Sequence, residues 1–278
     1  MRILVLGSTG FIGSHLVCTA VARNMDVVTL SRQAGGSHLA GSYGAGCLVA
    51  VQGFPWALGQ AVPEAACAGV DCAIHLAHDF EGAQGGQLTF ESTTTIAAQL
   101  QAAGISRQLF FSSYSAGEHA SSIYGRTKFA IEKAIEHIPG VIIVRPGLVL
   151  GNGGLYGRIR KWARVLPIVP LPDGGRGTVP VIDIEKLCYF SLNLALCSAA
   201  PKEANLFEVE LKSLRQLVLD AAAQNKRKPW ILPIPAPWLT AVFLLAARLH
   251  IRLPVNAENL AGFMSNQTAT HTSTLHTV

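Results

Sequence analysis

Glycine at every third position near the start of the chain constrains the fold more than any other feature. Gly7, Gly10 and Gly13 directly follow the unbroken apolar residues 3–6, which predict a strand buried on both faces. A helix and a second apolar strand are predicted to follow before residue 32. Strand, glycine turn, helix and strand form one βαβ unit, and its crossover is almost always right-handed.

The same alternation continues through the first half of the chain. Strands are predicted at 3–6, 27–30, 47–51, 72–76, 108–111 and 141–144. Helices are predicted at 14–23, 93–103 and 124–137. Strands that alternate with helices indicate an α/β fold with a doubly wound parallel sheet of the Rossmann type. We therefore expect residues 1–150 to form a dinucleotide-binding domain.

The alternation ends near residue 150, where stretches rich in glycine and proline begin. Further helices are predicted at 183–197, 213–224 and 237–249. These features predict a smaller C-terminal mixed substrate domain over 151–263, interleaved with the Rossmann core. Residues 264–278 are rich in Ser and Thr and have no apolar period, so we expect a disordered tail there.

Composition narrows the classes of protein that remain. The chain is 50% hydrophobic and 14% charged, whereas a typical soluble domain carries about a quarter charged residues. Because disorder requires low hydrophobicity and high charge, this composition excludes disorder as the main state. The longest apolar run, 238–247, is far short of the roughly 20 residues of a bilayer span, although peripheral membrane contact stays open.

The net charge of +5 is spread out apart from 226–228, so we expect no nucleic-acid partner. Six cysteines without metal spacing predict reduced thiols, a cytoplasmic location and no metal site.

The glycine loop predicts a phosphate-binding site. Glycines allow the backbone to turn tightly and to approach a pyrophosphate, which the free N–H groups of the following helix then bind. An acidic residue at the end of the second strand would bind the adenosine ribose and favour NAD. Ser31 and Arg32 stand there instead. Because arginine pairs with a 2′-phosphate, we expect NADP to be favoured over NAD.

A second motif predicts acid–base chemistry. Tyr124 and Lys128 are four residues apart and therefore share one face of the predicted helix 124–137. A nearby ammonium and an oxidised nicotinamide together favour the tyrosinate and should lower the pKa of Tyr124 from its ordinary value near 10. Serines at the end of the preceding strand offer a hydroxyl that could orient a substrate carbonyl or alcohol, and the candidates are Ser112, Ser113 and Ser115.

Five motifs in this order resemble one known superfamily. They are VLGSTGFIG at 5–13, HLA at 75–77, FFSS at 110–113, YGRTK at 124–128 and RPG at 145–147. Together they resemble the short-chain dehydrogenase/reductase superfamily, in its extended and atypical branch of NAD(P)-dependent epimerases and dehydratases. Residues 170–187 resemble the substrate side of the same family more weakly.

The resemblance implies roles for individual residues. Tyr124 would be the catalytic acid/base, Lys128 its partner and Ser113 the catalytic serine, with Ser112 and then Ser115 as alternatives. The cofactor would be bound by Gly7, Thr9, Gly10, Phe11, Ile12, Gly13, Ser31, Arg32, Leu76, Ala77, Lys128, Pro146 and Gly147. Tyr114 and Arg176 are candidates for substrate binding.

The chain also departs from the family pattern. The acids that usually follow the second and third strands are missing, and Tyr114 falls where the catalytic serine can be aligned. Glu132 and Glu136 are expected to be solvated, and His75 and His78 to have ordinary packing roles. The leading hypothesis is an NAD(P)-dependent enzyme that transfers hydride to or from a carbonyl or alcohol, with a nucleotide sugar as one substrate class. The alternative is a non-catalytic NAD(P)H-binding sensor or assembly subunit. A homodimer is compatible with both hypotheses.

Overall fold

The structure, a computed structural model, describes residues 1–32, 51–235, 238 and 271–275. The strands are β1 (Arg2–Leu6), β2 (Asp26–Ser31), β3 (Val51–Pro55), β4 (Cys72–His75), β5 (Arg107–Phe111), β6 (Val141–Pro146), β7 (Leu148–Leu150), β8 (Ile168–Pro172), β9 (Thr178–Val179), β10 (Val181–Asp183), β11 (Glu203–Leu206), β12 (Lys212–Ser213) and β13 (Trp230–Ile234). The α-helices are α1 (Phe11–Ala22), α2 (Glu64–Cys67), α3 (Gly82–Ala102), α4 (Ile123–Ile135), α5 (Gly154–Val165), α6 (Ile184–Leu196) and α7 (Leu214–Ala223).

A parallel sheet of seven strands forms the centre of the described structure. Its order is β11-β6-β5-β4-β1-β2-β3, and every neighbouring pair is parallel. Apolar side chains of α1 and α6 cover one face of the sheet, and those of α2, α3 and α4 cover the other. The predicted α/β fold with a doubly wound parallel sheet is confirmed. Strands buried on both faces explain why they read as continuous apolar runs.

A smaller unit follows the sheet. Helices α5 and α7 pack on the short strands β8, β9 and β13 around a separate core that includes Tyr156, Leu171 and Leu217. Between these helices the chain returns to the large sheet, because α6 packs on α1 and β11 pairs with β6. The small unit and the sheet therefore interleave along the chain, and the predicted boundaries at 150 and 263 stay predictions.

Two predicted elements differ from the structure. The third strand is Val51–Pro55 rather than 47–51, because this edge strand is largely exposed and carries few apolar residues; 47–50 lie outside the described residues. Helix α3 begins at Gly82 rather than at 93, since glycines interrupt the apolar period of its first turns. One of them, Gly86, allows close packing on α4, as a Cβ there would lie 2.7 Å from Thr127 Oγ1.

The prediction of a disordered tail over 264–278 is wrong for 271–275. Thr274 N donates to Asn205 O at 2.9 Å, and Asn205 N donates to Thr274 Oγ1 at 2.8 Å. Leu275 is only 4% exposed and belongs to the core beneath α1 and α6. Leu275 is the apolar residue that anchors this segment, and a single residue gives no apolar period from which order could be predicted.

The predicted helix 237–249 lies outside the described residues except for Trp238, which is helical and exposed. Within the described ranges, no helix combines the length and the hydropathy that crossing a bilayer requires. The described residues also contain no cluster of three His, Cys, Asp or Glu side chains that would hold a metal ion.

Candidate active site

The glycine loop joins β1 to α1 in a conformation that excludes side chains. Gly7 has a φ of +85°, and a Cβ there would lie 2.6 Å from the backbone N of Ala77. A Cβ at Gly13 would lie 2.4 Å from Gly7 O. Gly10 N donates to Gly7 O at 3.1 Å, which closes the turn. The loop is thus pressed between the end of β4 and the start of α1.

The N-terminus of α1 is open to an anion. Gly10 caps the helix without a side-chain hydrogen bond, and the first turn contains no acidic residue. Thr9 and Gly10 are exposed, while Phe11 and Ile12 are half-buried. Free N–H groups and the positive end of the helix dipole suit the pyrophosphate of a dinucleotide. The residues present therefore fit the cofactor that the sequence predicts.

The residues expected on the adenosine side surround the same edge of the sheet. Ser31 is the last residue of β2 and is 6% exposed, and Arg32 directly after it is exposed. Leu76 follows β4 and donates its N–H to Leu6 O at 2.9 Å, and the Ala77 backbone contacts Gly7. Parallel strands end together at this edge, where open α/β sheets bind their ligands.

Helix α4 brings the tyrosine and the lysine to the end of β5. Its N-cap, Ser122, accepts a hydrogen bond from Gly125 N at 3.0 Å. A Cβ at Gly125 would lie 2.6 Å from Ser115 O, so only glycine allows the helix to approach residues 112–116, which we call the serine loop, this closely. Tyr124 lies beside Ser113 as a result, and their side chains are hydrogen-bonded.

Burial governs the acidity of Tyr124. Desolvation raises the pKa of its hydroxyl to about 12, and the hydrogen bond with Ser113 opposes this rise. The lowering that we expect from an ammonium together with an oxidised nicotinamide stays a prediction; here the pKa of Tyr124 lies above its ordinary value. The physical reason is that loss of hydration disfavours the charged tyrosinate more than the neighbouring hydroxyl stabilises it.

Lys128 is buried directly behind the tyrosine. It is 2% exposed, and its Nζ donates to Phe111 O at 2.7 Å. The Nζ also lies 5.7 Å from the centre of the Tyr124 ring and 4.7 Å from that of Phe110. Burial lowers the pKa of Lys128 to about 7, although the charge of Glu132 opposes the shift. A lysine near its titration point at neutral pH is typical of functional sites.

Two aromatic residues that the sequence did not assign to the site enclose Tyr124. The His78 ring meets the tyrosine edge-to-face at a centroid distance of 4.8 Å, and the Phe80 ring stacks on it at 5.8 Å. Burial lowers the pKa of His78 to about 2, so the imidazole is neutral. Its Nδ1 is buried and has no hydrogen-bond partner among the described residues. Phe80 is 76% exposed, and no spacing in the sequence relates either ring to Tyr124.

The three candidate serines have different surroundings. Ser112 is buried and donates to Glu132, which Arg145 also binds through two nitrogens at 2.9 and 2.6 Å. Glu132 is 1% exposed, so the expectation that it is solvated is wrong: Arg145 compensates its charge inside the protein. Ser113 contacts Tyr124, and Ser115 Oγ lies 2.9 Å from Ser113 Oγ.

The remaining predicted residues lie at the ends of β5 and β6 or in the small unit. The Tyr114 ring packs edge-to-face on Phe207 at 5.0 Å, and Tyr114 N donates to Pro146 O at 3.0 Å. Gly147 is closely packed, as a Cβ there would lie 2.6 Å from Pro180 O. Arg176 is exposed after a short 3₁₀ turn of the small unit. The structure therefore brings Ser113, Tyr124 and Lys128 together, whereas Tyr114 is 8% exposed and packed among aromatic rings.

Fold and site together define a dinucleotide-binding protein of the Rossmann type. The model of the NAD dependent epimerase/dehydratase family matches residues 3–167, which is more than half of the chain. The chain therefore belongs to this family of NAD-dependent enzymes. The resemblance to epimerases and dehydratases that the five motifs predicted is confirmed.

Solved structures agree with this assignment at the level of the fold. A nucleoside-diphosphate-sugar epimerase from Staphylococcus aureus has a TM-score of 0.72 at 12% identity, over 97% of this chain and 91% of that chain. MoeE5 in complex with UDP-glucose and NAD has a TM-score of 0.65 at 18% identity, over 85% and 86% of the two chains. TunA, an NAD-dependent NDP-hexosamine 5,6-dehydratase involved in tunicamycin biosynthesis, has 0.65 at 16% identity, over 96% of each chain. Among curated proteins, none matches the chain significantly.

Proposed function

We propose that this protein transfers hydride between NAD(P) and a carbonyl or alcohol carbon, with Tyr124 as acid/base and Lys128 and Ser113 as its partners. The observation that carries the proposal is the meeting of these three side chains at the C-terminal edge of the sheet. The same edge holds the open N-terminus of α1. One edge of the sheet thus offers both a pyrophosphate site and a proton donor.

Each residue has a definite task in this proposal. Gly7, Gly10 and Gly13 admit the pyrophosphate, and the bound nicotinamide supplies or accepts the hydride. Ser113 donates a hydrogen bond to the substrate oxygen and holds it beside the Tyr124 hydroxyl. Because burial keeps that hydroxyl protonated at neutral pH, Tyr124 is ready to give its proton to the oxygen as a carbonyl is reduced. Lys128 would hold the nicotinamide ribose from behind.

Replacement of Tyr124 tests this assignment. Tyr124→Phe removes the proton donor but keeps the ring that packs on His78 and Phe80. General acid–base help is worth on the order of 10²–10⁴ in rate, so we expect turnover to fall by about that factor while nicotinamide binding, measured by fluorescence titration, is retained. Phe129→Leu, on the same helix, is the control. Turnover unchanged in Tyr124→Phe would overturn the role.

The choice of cofactor is a second part of the proposal. We propose that NADP is favoured over NAD because Arg32 follows β2 where an acid would bind the adenosine ribose. A charge-assisted hydrogen bond contributes about 1.5–3 kcal/mol, or roughly ten- to hundredfold in affinity. Arg32→Ala should therefore weaken NADPH by about that factor and leave NADH unchanged, with Lys202→Ala as the control. Equal affinities of the wild-type protein for the two nucleotides would contradict the preference.

Nucleotide sugars are the substrate class that we propose to test first. MoeE5 is described with UDP-glucose, and TunA is described as acting on an NDP-hexosamine. In this proposal Arg176 would meet an anionic group of the substrate, and Tyr114, which follows Ser113 in the sequence, would contact it. A homodimer and a cytoplasmic location remain predictions from the sequence.

A non-catalytic NAD(P)H-binding sensor or assembly subunit is the alternative. The missing acids after the second and third strands and the direct bond from Lys128 Nζ to Phe111 O favour it. It predicts tight nucleotide binding without hydride transfer to any carbonyl or nucleotide sugar. Robust turnover that depends on Tyr124 would exclude this alternative.

A further inference from the structure

The positive charge of this protein is concentrated in the small unit. Residues 151–182 and 211–235, which build most of it, contain ten basic and two acidic side chains. The rest of the chain contains twelve basic and fifteen acidic side chains. The net charge of +5 is therefore the sum of a basic small unit and a slightly acidic remainder of the chain. Such a separation favours an anionic partner for the small unit.

An apolar surface lies on the same unit. Strands β8 and β13 form a two-stranded parallel ribbon in which Trp230 pairs with Ile168 and Leu232 with Pro170. Val169 and Leu171 point into the core of the unit, so their neighbours along the strand point outward. Ile168 is 53% exposed, Trp230 81% and Leu232 50%. We call this surface, together with Val165, which is 68% exposed, the tryptophan face.

Cations border one end of the tryptophan face. Trp230 N donates to Pro167 O at 2.8 Å, and Arg227 Nη1 approaches Val165 O at 3.4 Å, so the end of α5 and the start of β13 lie side by side. This brings the exposed Arg164 next to Arg227 and Lys228 in the fold. No acidic residue occurs in 151–172 or in 221–235. The cations at this border therefore come from segments that carry no acidic side chain.

We propose that the tryptophan face binds the surface of an anionic lipid bilayer. Contiguous exposed apolar residues on a soluble domain mark an interaction site. Tryptophan is enriched where a protein meets the headgroup region, and adjacent lysines and arginines are attracted to anionic lipids. Nucleic acid also attracts cations, but the aliphatic side chains of Val165, Ile168 and Leu232 favour acyl chains over bases and phosphates. The proposed contact is peripheral. It would hold the enzyme at a membrane surface without involving its active site.

Vesicle sedimentation with the full-length protein tests the proposal. We expect binding to phosphatidylcholine vesicles that contain phosphatidylglycerol, weak binding to phosphatidylcholine alone, and a loss of binding at high salt. Each of Arg227→Gln and Lys228→Gln should lower the partition coefficient about fivefold, since one cation near an anionic surface contributes about 1 kcal/mol. Trp230→Ser with Leu232→Ser should abolish binding. Lys202→Gln and Val209→Ser, which alter an exposed cation and an exposed apolar residue elsewhere, should bind as the wild type does.

Three results would overturn the proposal. The first is wild-type protein that stays in solution with anionic vesicles. The second is vesicle binding that is unchanged in both the charge variants and the Trp230/Leu232 variant. The third is a wild-type protein that does not bind vesicles, together with a Trp230/Leu232 variant that melts at a lower temperature than the wild type. This result would mean that another part of the protein covers the tryptophan face. NADPH titration of every variant checks that the nucleotide domain is folded.

Discussion

At the scale of single residues, neighbours on the sheet edge separate the three serines into different roles. Ser112 is sealed into a network with Glu132 and Arg145, and Arg145 also binds Glu203 at 2.7 Å. Ser113 instead contacts Tyr124. Of these two adjacent serines, Ser112 therefore links β5, α4 and β6, whereas Ser113 contacts the tyrosine to which we assign the proton transfer. Because successive residues in an extended segment point to opposite sides, this division follows from their position.

Paired substitutions distinguish these roles. Ser112→Ala should lower the free energy of unfolding by about 1–3 kcal/mol, because a buried carboxylate loses a hydrogen bond, and should leave turnover close to that of the wild type. Ser113→Ala should do the reverse, with little change in stability and a large loss of kcat. Urea unfolding and steady-state kinetics on both variants measure this. If Ser112→Ala abolished turnover without loss of stability, the assignment of Ser113 would be wrong.

At the scale of elements, buried parallel strands and helices with a regular apolar face were predictable, whereas the exposed edge strand and the glycine-rich helix starts were not. β1, β2 and β5 are nearly continuous apolar runs, and helix α4 has a regular apolar face. β3 lies at an edge and is mostly exposed, so it lacks that signal. Helix α5 was not predicted, because the glycine-rich stretch that contains its first turn is typical of a loop.

The site was predictable to a similar extent. Tyr124, Lys128 and the glycine loop have fixed spacings within single elements, so the sequence alone places them. The approach of His78 and Phe80 to Tyr124 depends on how the segment after β4 packs on α4, and the burial of Glu132 depends on Arg145 from another strand. Contacts between elements leave no periodic trace in one sequence.

The C-terminal segment gives a prediction at this scale. Residues 271–275 lie along the outer edge of β11, and His271 reaches Ala116 O at 3.2 Å in the serine loop. Replacing Leu275 by Ala should lower the free energy of unfolding by about 2–5 kcal/mol, as for other buried leucines. Thr272→Ala, in the same segment but exposed, should have little effect. Equal stability of Leu275→Ala and the wild type in urea would mean that the segment is not anchored.

At the scale of the whole molecule, two neutral histidines, the buried His75 and the half-buried His78, make the free energy of unfolding depend on pH. Burial lowers the pKa of His75 to about 4 and that of His78 to about 2. As the pH falls below about 6.5, the unfolded chain binds protons that the folded protein does not. Stability is therefore highest above that pH and is lost toward about pH 4 for His75, and further down for His78.

Urea unfolding between about pH 7 and pH 4.5 measures this dependence. Each histidine should contribute a loss of about 1.4 kcal/mol per pH unit within its window. His78→Phe should make the dependence shallower by one such contribution, whereas His137→Phe, on the surface, should not. A flat profile for the wild type would show that the two imidazoles are not buried and neutral.

The central claim concerns the whole assembly of glycine loop, serine, tyrosine and lysine as a hydride-transfer site. Its most direct test is mass spectrometry of the products after incubation of the purified protein with deuterated NADPH or NADH and a panel of carbonyl compounds that includes keto derivatives of nucleotide sugars. We predict that deuterium enters a substrate carbon with the wild-type protein and does not with Tyr124→Phe, although both bind the nucleotide. Nucleotide binding without deuterium transfer to any member of the panel, or equal transfer by Tyr124→Phe, would contradict the account.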